Sequence, residues 1–220
     1  MRPLTDKIPK PLLAVGKQPF LAYLISFLKK QGIEEFILTT GYKAEMIENY
    51  FGSGRKFGAK IIYSREDVPL DTGGPIKKAE NLIKGENILI LNGDSFIDFD
   101  LKKMTEFHQK MKKPATLAVV KVKNQSRSGQ ITIDKNSIIT RFKEKEKEKG
   151  EGFINAGVYI FQKDLLSSFP RDKKISLEKD IFPKLEGNIA AFKNKGYFID
   201  IGAKEDYLKF NKDIKKIRIC

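Results

Sequence analysis

Two hydrophobic periods follow one another along the chain. Apolar residues spaced three and four apart, typical of a helix with one packed face, recur between short apolar runs typical of buried strands. The pattern predicts helices over 19–32, 44–51, 72–84, 101–111, 163–169, 176–185 and 203–215. It predicts strands over 35–40, 60–64, 87–92, 116–122, 130–134, 137–144, 153–161, 188–193 and 197–201. Such alternation predicts an α/β fold in which helices cover both sides of a mostly parallel sheet.

The balance of predicted helices and strands changes after residue 122. Residues 123–220 are richer in predicted strands than residues 1–122, and the predicted helices among them are short apart from the closing one. A chain of 220 residues with 40% hydrophobic residues is long enough for one well-buried core. We therefore expect a single domain over 1–220, with an α/β part over 1–122 and a β-rich part over 123–220.

Composition narrows the class of protein. The only cysteine is Cys220, so an internal disulfide and a cysteine-based metal site are excluded. No apolar run is long enough to span a bilayer and the start has no signal-peptide pattern, so we expect a cytoplasmic protein that does not bind membranes. The formal charge of +14 suits an anionic partner, but the lysines are dispersed without interleaved aromatic residues. Phosphorylated metabolites are therefore favoured over nucleic acid.

Two apolar strands each run into an aspartate. The run "ILILNGD" ends at Asp94, and "YFID" ends at Asp200 with Gly202 close behind. Open α/β sheets bind ligands at the carboxyl ends of their strands. A single aspartate there could equally form a turn or a helix cap. Two together favour a shared Mg²⁺ ion, which takes oxygen ligands.

Small residues interrupt two other elements. Thr72, Gly73 and Gly74 precede a predicted helix, where a ligand could approach the backbone closely, although glycine pairs are also common in turns. Asn155, Ala156 and Gly157 interrupt the strand over 153–161, which indicates a bulge or room for a ligand. The lone His108 lies in a polar helical stretch, and we expect it at the surface.

Five stretches, in order along the chain, resemble the sugar-1-phosphate nucleotidyltransferases. They are "RPLTDKIPKPLL", "PLDTGGPI", "LNGDSF", "FINAGVYIF" and "YFIDIGAKEDY". The nearest type resembles the guanylyltransferases that act on D-glycero-α-D-manno-heptose 1-phosphate or mannose 1-phosphate. The resemblance implies a Rossmann-like three-layer α/β/α sandwich with a mixed, mostly parallel sheet. It also implies that residues 1–122 bind nucleotide and residues 123–220 bind sugar.

The resemblance implies roles for individual residues. Lys10 would lie against the triphosphate and the incoming sugar phosphate, and Asp94 and Asp200 would be the Mg²⁺ ligands, so these three are the candidate catalytic residues. The nucleotide would be bound by Glu66, Asp71, Thr72, Gly73, Gly74 and Asn92. The sugar phosphate would be bound by Gly129, Glu144, Lys145, Asn155 and Gly157. Asp71 stands where the family commonly has glycine.

The opening of the chain resembles the family from a point just after its glycine-rich phosphate loop. We therefore expect a first strand and that loop to precede Met1 in a longer chain. Without them, we expect the 220 residues to be poorly soluble or nearly inactive, because a central strand and several phosphate donors would be missing.

The activity implied is transfer of a nucleotidyl group, from GTP by this resemblance, to a sugar 1-phosphate with release of pyrophosphate. The nucleotide sugar would serve surface polysaccharide synthesis, such as lipopolysaccharide or capsule. Three alternatives stay open: a thymidylyl, uridylyl or cytidylyl transferase, a non-catalytic binder of nucleotide sugars, and, remotely, a nucleic-acid-binding protein. The sequence leaves self-association open.

Overall fold

A computed structural model describes residues 1, 3–124, 130–143, 150–214 and 217 of the chain. Its α-helices are α1 (Leu4–Lys7), α2 (Phe20–Lys29), α3 (Ala44–Phe51), α4 (Gly74–Lys78), α5 (Leu101–Met111) and α6 (Lys204–Asp213). Its strands are β1 (Ala14–Val15), β2 (Gln18–Pro19), β3 (Glu35–Thr40), β4 (Lys60–Arg65), β5 (Asn87–Leu91), β6 (Ser95–Ile97), β7 (Ala115–Val122), β8 (Gln130–Ile133), β9 (Ile139–Lys143), β10 (Gly152–Gln162), β11 (Ile189–Asn194) and β12 (Phe198–Asp200).

Single turns of other helix types complete the description. The 3₁₀ turns are Lys10–Leu12, Arg55–Phe57, Glu80–Leu82, Lys163–Ser168 and Phe182–Leu185, and Leu177–Ile181 forms a π-helical turn. Within the described residues, no helix is long and apolar enough to cross a membrane.

The chain divides into two compact units built from interleaved segments. Unit 1 comprises Met1–Val68, Gly93–Phe96 and Ile199–Cys220, and unit 2 comprises Pro69–Asn92 and Ile97–Phe198. The boundaries of the two units therefore differ from the predicted boundary at residue 122, because each unit contains segments from both sides of it. The assignment of those two parts to nucleotide and sugar stays a prediction.

Unit 1 is built around α2 and a cluster of aromatic side chains. Helix α2 begins after Pro19 and buries nearly all of its length. The Phe210 ring packs against Phe20 and Phe96, with centroids 5.2 Å and 5.6 Å apart, and Phe27 lies 5.2 Å from Phe96. Burying aromatic rings in this way supplies much of the driving force for folding. Strands β3 and β4 pair in parallel in the same unit.

Unit 2 is built around a mixed sheet in which β10 is the longest strand. The strand order is β11, β7, β10, β8 and β9, and β5 pairs with β10 beyond the end of β8. Strand β11 runs parallel to β7, whereas β10 runs antiparallel to β5, β7 and β8. The rings of Tyr159, Phe161 and Phe182 pack together in its core.

Most of the predicted elements are present, with three differences. The predicted helices over 163–169 and 176–185 are 3₁₀ and π-helical turns, and the one over 72–84 is reduced to α4 and a 3₁₀ turn. The sheet is mixed, as predicted, but most described pairings are antiparallel because β10 runs against three neighbours. Strand β5 is less buried than its continuous apolar sequence indicates, since four of its residues are only half-buried. Within the described residues β5 pairs with β10 alone, which leaves its other edge without a strand.

Candidate active site

Lys10 and Asp94 form an ion pair in unit 1. Pro9 and Pro11 flank Lys10, and the 3₁₀ turn that it begins is closed by the N–H of Leu13, which donates to its carbonyl. The Lys10 Nζ lies 3.1 Å from Asp94 Oδ2, and the two side chains are 41% and 32% exposed. A pair this open to solvent contributes little stability. Its groups are therefore accessible to a ligand.

Asp200 is held beside this pair by the backbone. The Ile201 N–H donates to the Asp94 carbonyl at 2.9 Å, so the residues that follow Asp200 are tied to Asp94. The Gly202 N–H donates to Asp200 Oδ1 at 2.6 Å. Strands β6 and β12 pair with each other. The structure thus brings together all three predicted catalytic residues.

The electrostatics of this cluster oppose full ionisation of Asp200. Part of the residue reaches solvent, but protein crowds its carboxyl group. Burial, and then the negative charge of Asp94, raise its pKa, while the Gly202 N–H and the Lys10 ammonium act in the other direction. Two carboxylates this close favour a cation between them.

The donor set fits Mg²⁺ better than a transition metal. No group of three or more His, Cys, Asp or Glu side chains suited to a metal occurs among the described residues. Mg²⁺ typically takes one or two carboxylates and completes its shell with water and substrate phosphates. Asp94 and Asp200 are therefore the described residues that would hold such an ion.

Glu66 lies elsewhere in unit 1, directly after β4. Its N–H donates to the Thr40 carbonyl at 2.7 Å, and its half-buried side chain lies against Gly41. Its predicted role in nucleotide binding stays a prediction.

The predicted nucleotide residues 71–74 form a tight loop in unit 2. Asp71 has a φ of 65°, in the left-handed region that glycine favours and aspartate tolerates. An added Cβ on Gly74 would lie 2.6 Å from the Leu70 Cβ and 2.8 Å from the Lys173 carbonyl. The second glycine is thus required for packing, whatever ligand the loop meets.

Asn92, Asn155 and Gly157 meet at a bulge of β10 in unit 2. The register of β10 against β7 shifts between Asn155 and Tyr159, so the predicted irregularity in this strand is confirmed. The Asn92 N–H donates to the Gly157 carbonyl at 2.8 Å, and the Gly157 N–H donates to Asn155 Oδ1 at 3.0 Å. Gly157 has a φ of 73°, and a Cβ there would lie 2.9 Å from Asn92 Nδ2. Three of the predicted site residues are therefore adjacent, and the remaining predicted sugar residues, Gly129, Glu144 and Lys145, lie outside the described residues.

The expectation for His108 is wrong, because the side chain is buried. It is 3% exposed, and its Nδ1 and Nε2 lie 2.8 Å from Thr116 Oγ1 and 3.2 Å from Asn87 Oδ1. Burial lowers its pKa. Met104, four residues earlier, is also buried. That spacing marks the packed face of α5 and could have indicated the burial.

Sequence reasoning also missed a cavity of about 400 Å³ in unit 2. It is lined by the end of β7 and the segment after β11, through Val120, Lys121, Val122, Asn194, Lys195, Gly196 and Phe198. Lys121 pairs with Glu151 at 3.1 Å. The volume is that of a small-ligand pocket, and its lysines would favour an anionic ligand.

Comparisons with known proteins identify the family. The model of the nucleotidyl transferase family matches residues 1–217. The chain belongs to this family. It is 42% identical over 217 residues to D-glycero-alpha-D-manno-heptose 1-phosphate guanylyltransferase of Aneurinibacillus thermoaerophilus, covering 98% of this chain and 93% of that protein. The family resemblance drawn from the sequence motifs is therefore confirmed.

Two further comparisons agree with this assignment. Mannose-1-phosphate guanylyltransferase of Mycobacterium tuberculosis is 32% identical, covering 97% of this chain and 61% of that protein. The crystal structure of HddC from Yersinia pseudotuberculosis superimposes with a TM-score of 0.86 at 35% identity, over 94% of this chain and 90% of that one. HddC has also been crystallised with GMP-PN. The predicted α/β nucleotidyltransferase fold is confirmed.

Proposed function

We propose that the protein transfers a guanylyl group from GTP to the 1-phosphate of a manno-configured heptose or of mannose, with Mg²⁺ as cofactor. The observation that carries the proposal is the Lys10–Asp94 pair beside Asp200, in a chain that belongs to the nucleotidyl transferase family. The names of the relatives support GTP as the donor and a heptose or mannose 1-phosphate as the acceptor. The relatives at 42%, 38% and 32% identity are guanylyltransferases for heptose or mannose 1-phosphate.

The reaction needs positive charge rather than a strong base. An oxygen of the sugar phosphate forms a bond to the α-phosphorus, and the bond from that phosphorus to the bridging oxygen of the β-phosphate breaks. Pyrophosphate leaves with the electron pair of the broken bond. Because a phosphate is already an adequate nucleophile, positioning and charge stabilisation supply the catalysis.

The residues of unit 1 provide that charge. Lys10 neutralises developing negative charge on the phosphoryl oxygens, and its open ion pair with Asp94 leaves room for a phosphate. Asp94 and Asp200 would hold Mg²⁺, and the Gly202 N–H donates to one oxygen of Asp200. When bound, Mg²⁺ would withdraw charge from the phosphates and from the departing pyrophosphate.

The residues of unit 2 provide recognition. In this proposal the loop over 71–74 and Asn92 bind the nucleotide, and the bulge at Asn155 and Gly157 binds the sugar. The family resemblance assigns nucleotide binding to Glu66 as well, and sugar phosphate binding to Gly129, Glu144 and Lys145.

The cellular setting follows from the product. A nucleotide sugar of this type would be made in the cytoplasm and supply surface polysaccharide such as lipopolysaccharide or capsule. A non-catalytic binder is not favoured, because Lys10 and both aspartates are present and lie together.

The test measures pyrophosphate release. The full chain is assayed. GTP, UTP, CTP and dTTP are each paired with mannose, D-manno-heptose and glucose 1-phosphate, with and without Mg²⁺. We expect turnover with GTP and a manno-configured acceptor, dependent on the metal.

Other outcomes separate the parts of the proposal. Turnover with UTP or dTTP alone would contradict the guanylyl assignment but keep the reaction class. Nucleotide-sugar binding without pyrophosphate release from any pair would contradict catalysis altogether.

A further inference from the structure

The segment over 70–74 is fastened to the segment over 173–178 within unit 2. The Ile175 N–H donates to the Leu70 carbonyl at 3.0 Å, and the Gly73 N–H donates to the Ile175 carbonyl at 2.7 Å. An added Cβ on Gly73 would lie 3.1 Å from Ile175 Cγ2, so the two backbones approach closely. The conformation of the loop therefore depends on the segment that it pairs with.

Glu178 holds this arrangement through two hydroxyl groups. Its Oε2 accepts from Thr72 Oγ1 at 2.7 Å and from Ser176 Oγ at 3.1 Å. The Thr72 Oγ1 in turn accepts from the Leu177 N–H at 2.8 Å, and Ser176 Oγ accepts from the Lys179 N–H at 3.2 Å. Each hydroxyl has one proton to donate, so the carboxylate sets the direction of both chains of hydrogen bonds.

The hydrogen bond between Thr72 Oγ1 and Glu178 Oε2 is 2.7 Å long. A carboxylate holds a hydroxyl group more strongly than a neutral oxygen does, because hydrogen bonds to ionised acceptors are the stronger ones. Thr72 lies between Asp71, whose φ is 65°, and Gly73, so its hydrogen bond to Glu178 adds a side-chain restraint to a loop whose backbone already pairs with Ile175.

We propose that Glu178 is a positioning residue for the nucleotide loop, acting through the Thr72 hydroxyl. The inference rests on the proposed function, which places the nucleotide at residues 71–74. Because one oxygen of the Glu178 carboxylate accepts from two hydroxyl groups, one of them on the loop, we assign its action to the loop rather than to substrate. Its loss should weaken binding of the triphosphate while leaving binding of the sugar phosphate and the chemical step largely unchanged.

The experiment compares KM for GTP, KM for the sugar 1-phosphate, kcat and the thermal midpoint across matched variants of the full chain. Glu178→Ala should raise KM for GTP about tenfold, the effect of losing one charge-assisted hydrogen bond, with KM for the sugar phosphate within about twofold of wild type. Glu178→Gln keeps an acceptor oxygen, so its KM for GTP should lie between those of the wild type and Glu178→Ala. Thr72→Ser keeps the hydroxyl and should restore near-normal KM, whereas Thr72→Val should match Glu178→Ala.

Two controls separate positioning from general damage. Glu106→Ala removes a glutamate charge from the exposed face of α5 in the same unit and should change neither KM. The double variant Thr72→Val/Glu178→Ala should be no worse than either single one, because both break the same link. If Glu178→Ala does not fold, Glu178→Gln carries the same comparison with a rise of about threefold in KM for GTP.

The results that would overturn the inference are distinct from failure of the proposed function. Additive effects of the two substitutions, or equal rises in both KM values with a lower thermal midpoint, would make Glu178 a structural residue only. If the wild-type protein turns over and Glu178→Ala has the same KM for GTP as the wild type, the inference alone is refuted. Absence of turnover in the wild type would refute the proposed function, and the inference with it.

Discussion

The charged cluster of unit 1 and the bulge of unit 2 use polar groups in opposite ways. Around Asp200, burial and the charge of Asp94 raise the pKa, so the protein itself leaves negative charge poorly compensated. Around Gly157, by contrast, the backbone and the Asn155 side chain have hydrogen-bond partners within the same unit. Uncompensated charge is typical of sites that bind ions and perform chemistry, whereas satisfied networks fix geometry. Together with the proposed function, the comparison predicts that changes in the unit 1 cluster lower kcat, whereas changes at the unit 2 bulge affect stability and substrate affinity.

The largest effect is expected from the carboxylates of unit 1. Asp94→Asn or Asp200→Asn should each lower kcat on the order of 10³-fold, because under the proposed function each removes a charge that would hold Mg²⁺. Asparagine at position 200 keeps the oxygen that accepts from Gly202, so the thermal midpoint should hardly change. The measurement is pyrophosphate release alongside thermal unfolding, with Glu34→Gln on the exposed surface of unit 1 as control. A variant with near-normal kcat would make that aspartate structural.

The second-largest effect on kcat is expected from Lys10. Lys10→Ala removes the ammonium that pairs with Asp94 and should lower kcat about 10²-fold. Lys10→Arg keeps the charge with a different geometry and should lose less. Because the ion pair is exposed, neither change should cost much stability. Steady-state kinetics and thermal unfolding check this, and a loss of stability without a loss of kcat would contradict the catalytic role.

The sequence predicted more of unit 1's chemistry than of unit 2's contacts. Asp94 and Asp200 each follow an apolar strand, so their positions could be inferred from pattern alone. Helix α3 matches its predicted range, since its apolar residues keep helical spacing up to Gly52. The link between Thr72 and Glu178 joins residues 106 positions apart, and no local pattern records such a contact. The burial of His108 likewise depends on Asn87 and Thr116, which other strands supply.

In unit 2, Gly157→Ala should change stability rather than chemistry. Its φ of 73° disfavours any side chain, and the new Cβ would crowd Asn92. We expect a loss of about 1–3 kcal/mol in the free energy of unfolding, measured with urea. Gly150→Ala is the matched control, because nothing lies within 4 Å of a Cβ there. Equal stability of the two variants would show that the bulge tolerates a side chain.

The smallest effect expected is a pH dependence of stability from His108. Because burial lowers its folded pKa, the unfolded chain binds a proton at higher pH than the folded protein. This contribution to stability is complete above about pH 6.5 and is lost as the pH falls from there toward the folded pKa. Urea unfolding at several pH values below neutrality should show that the free energy of unfolding falls less steeply with decreasing pH for His108→Gln than for the wild type. The same decline in both proteins would show that the pKa of His108 does not differ between the folded and unfolded states.

The most direct test of the division between the units is a side-by-side measurement of kcat at saturating substrates for Asp94→Asn and Gly157→Ala, under conditions where both are folded. The account predicts that Asp94→Asn loses turnover on the order of 10³-fold with an unchanged thermal midpoint. It predicts that Gly157→Ala keeps kcat within a few-fold of wild type despite a lower midpoint. Comparable losses of kcat in both variants, or a near-normal kcat in Asp94→Asn, would contradict the account.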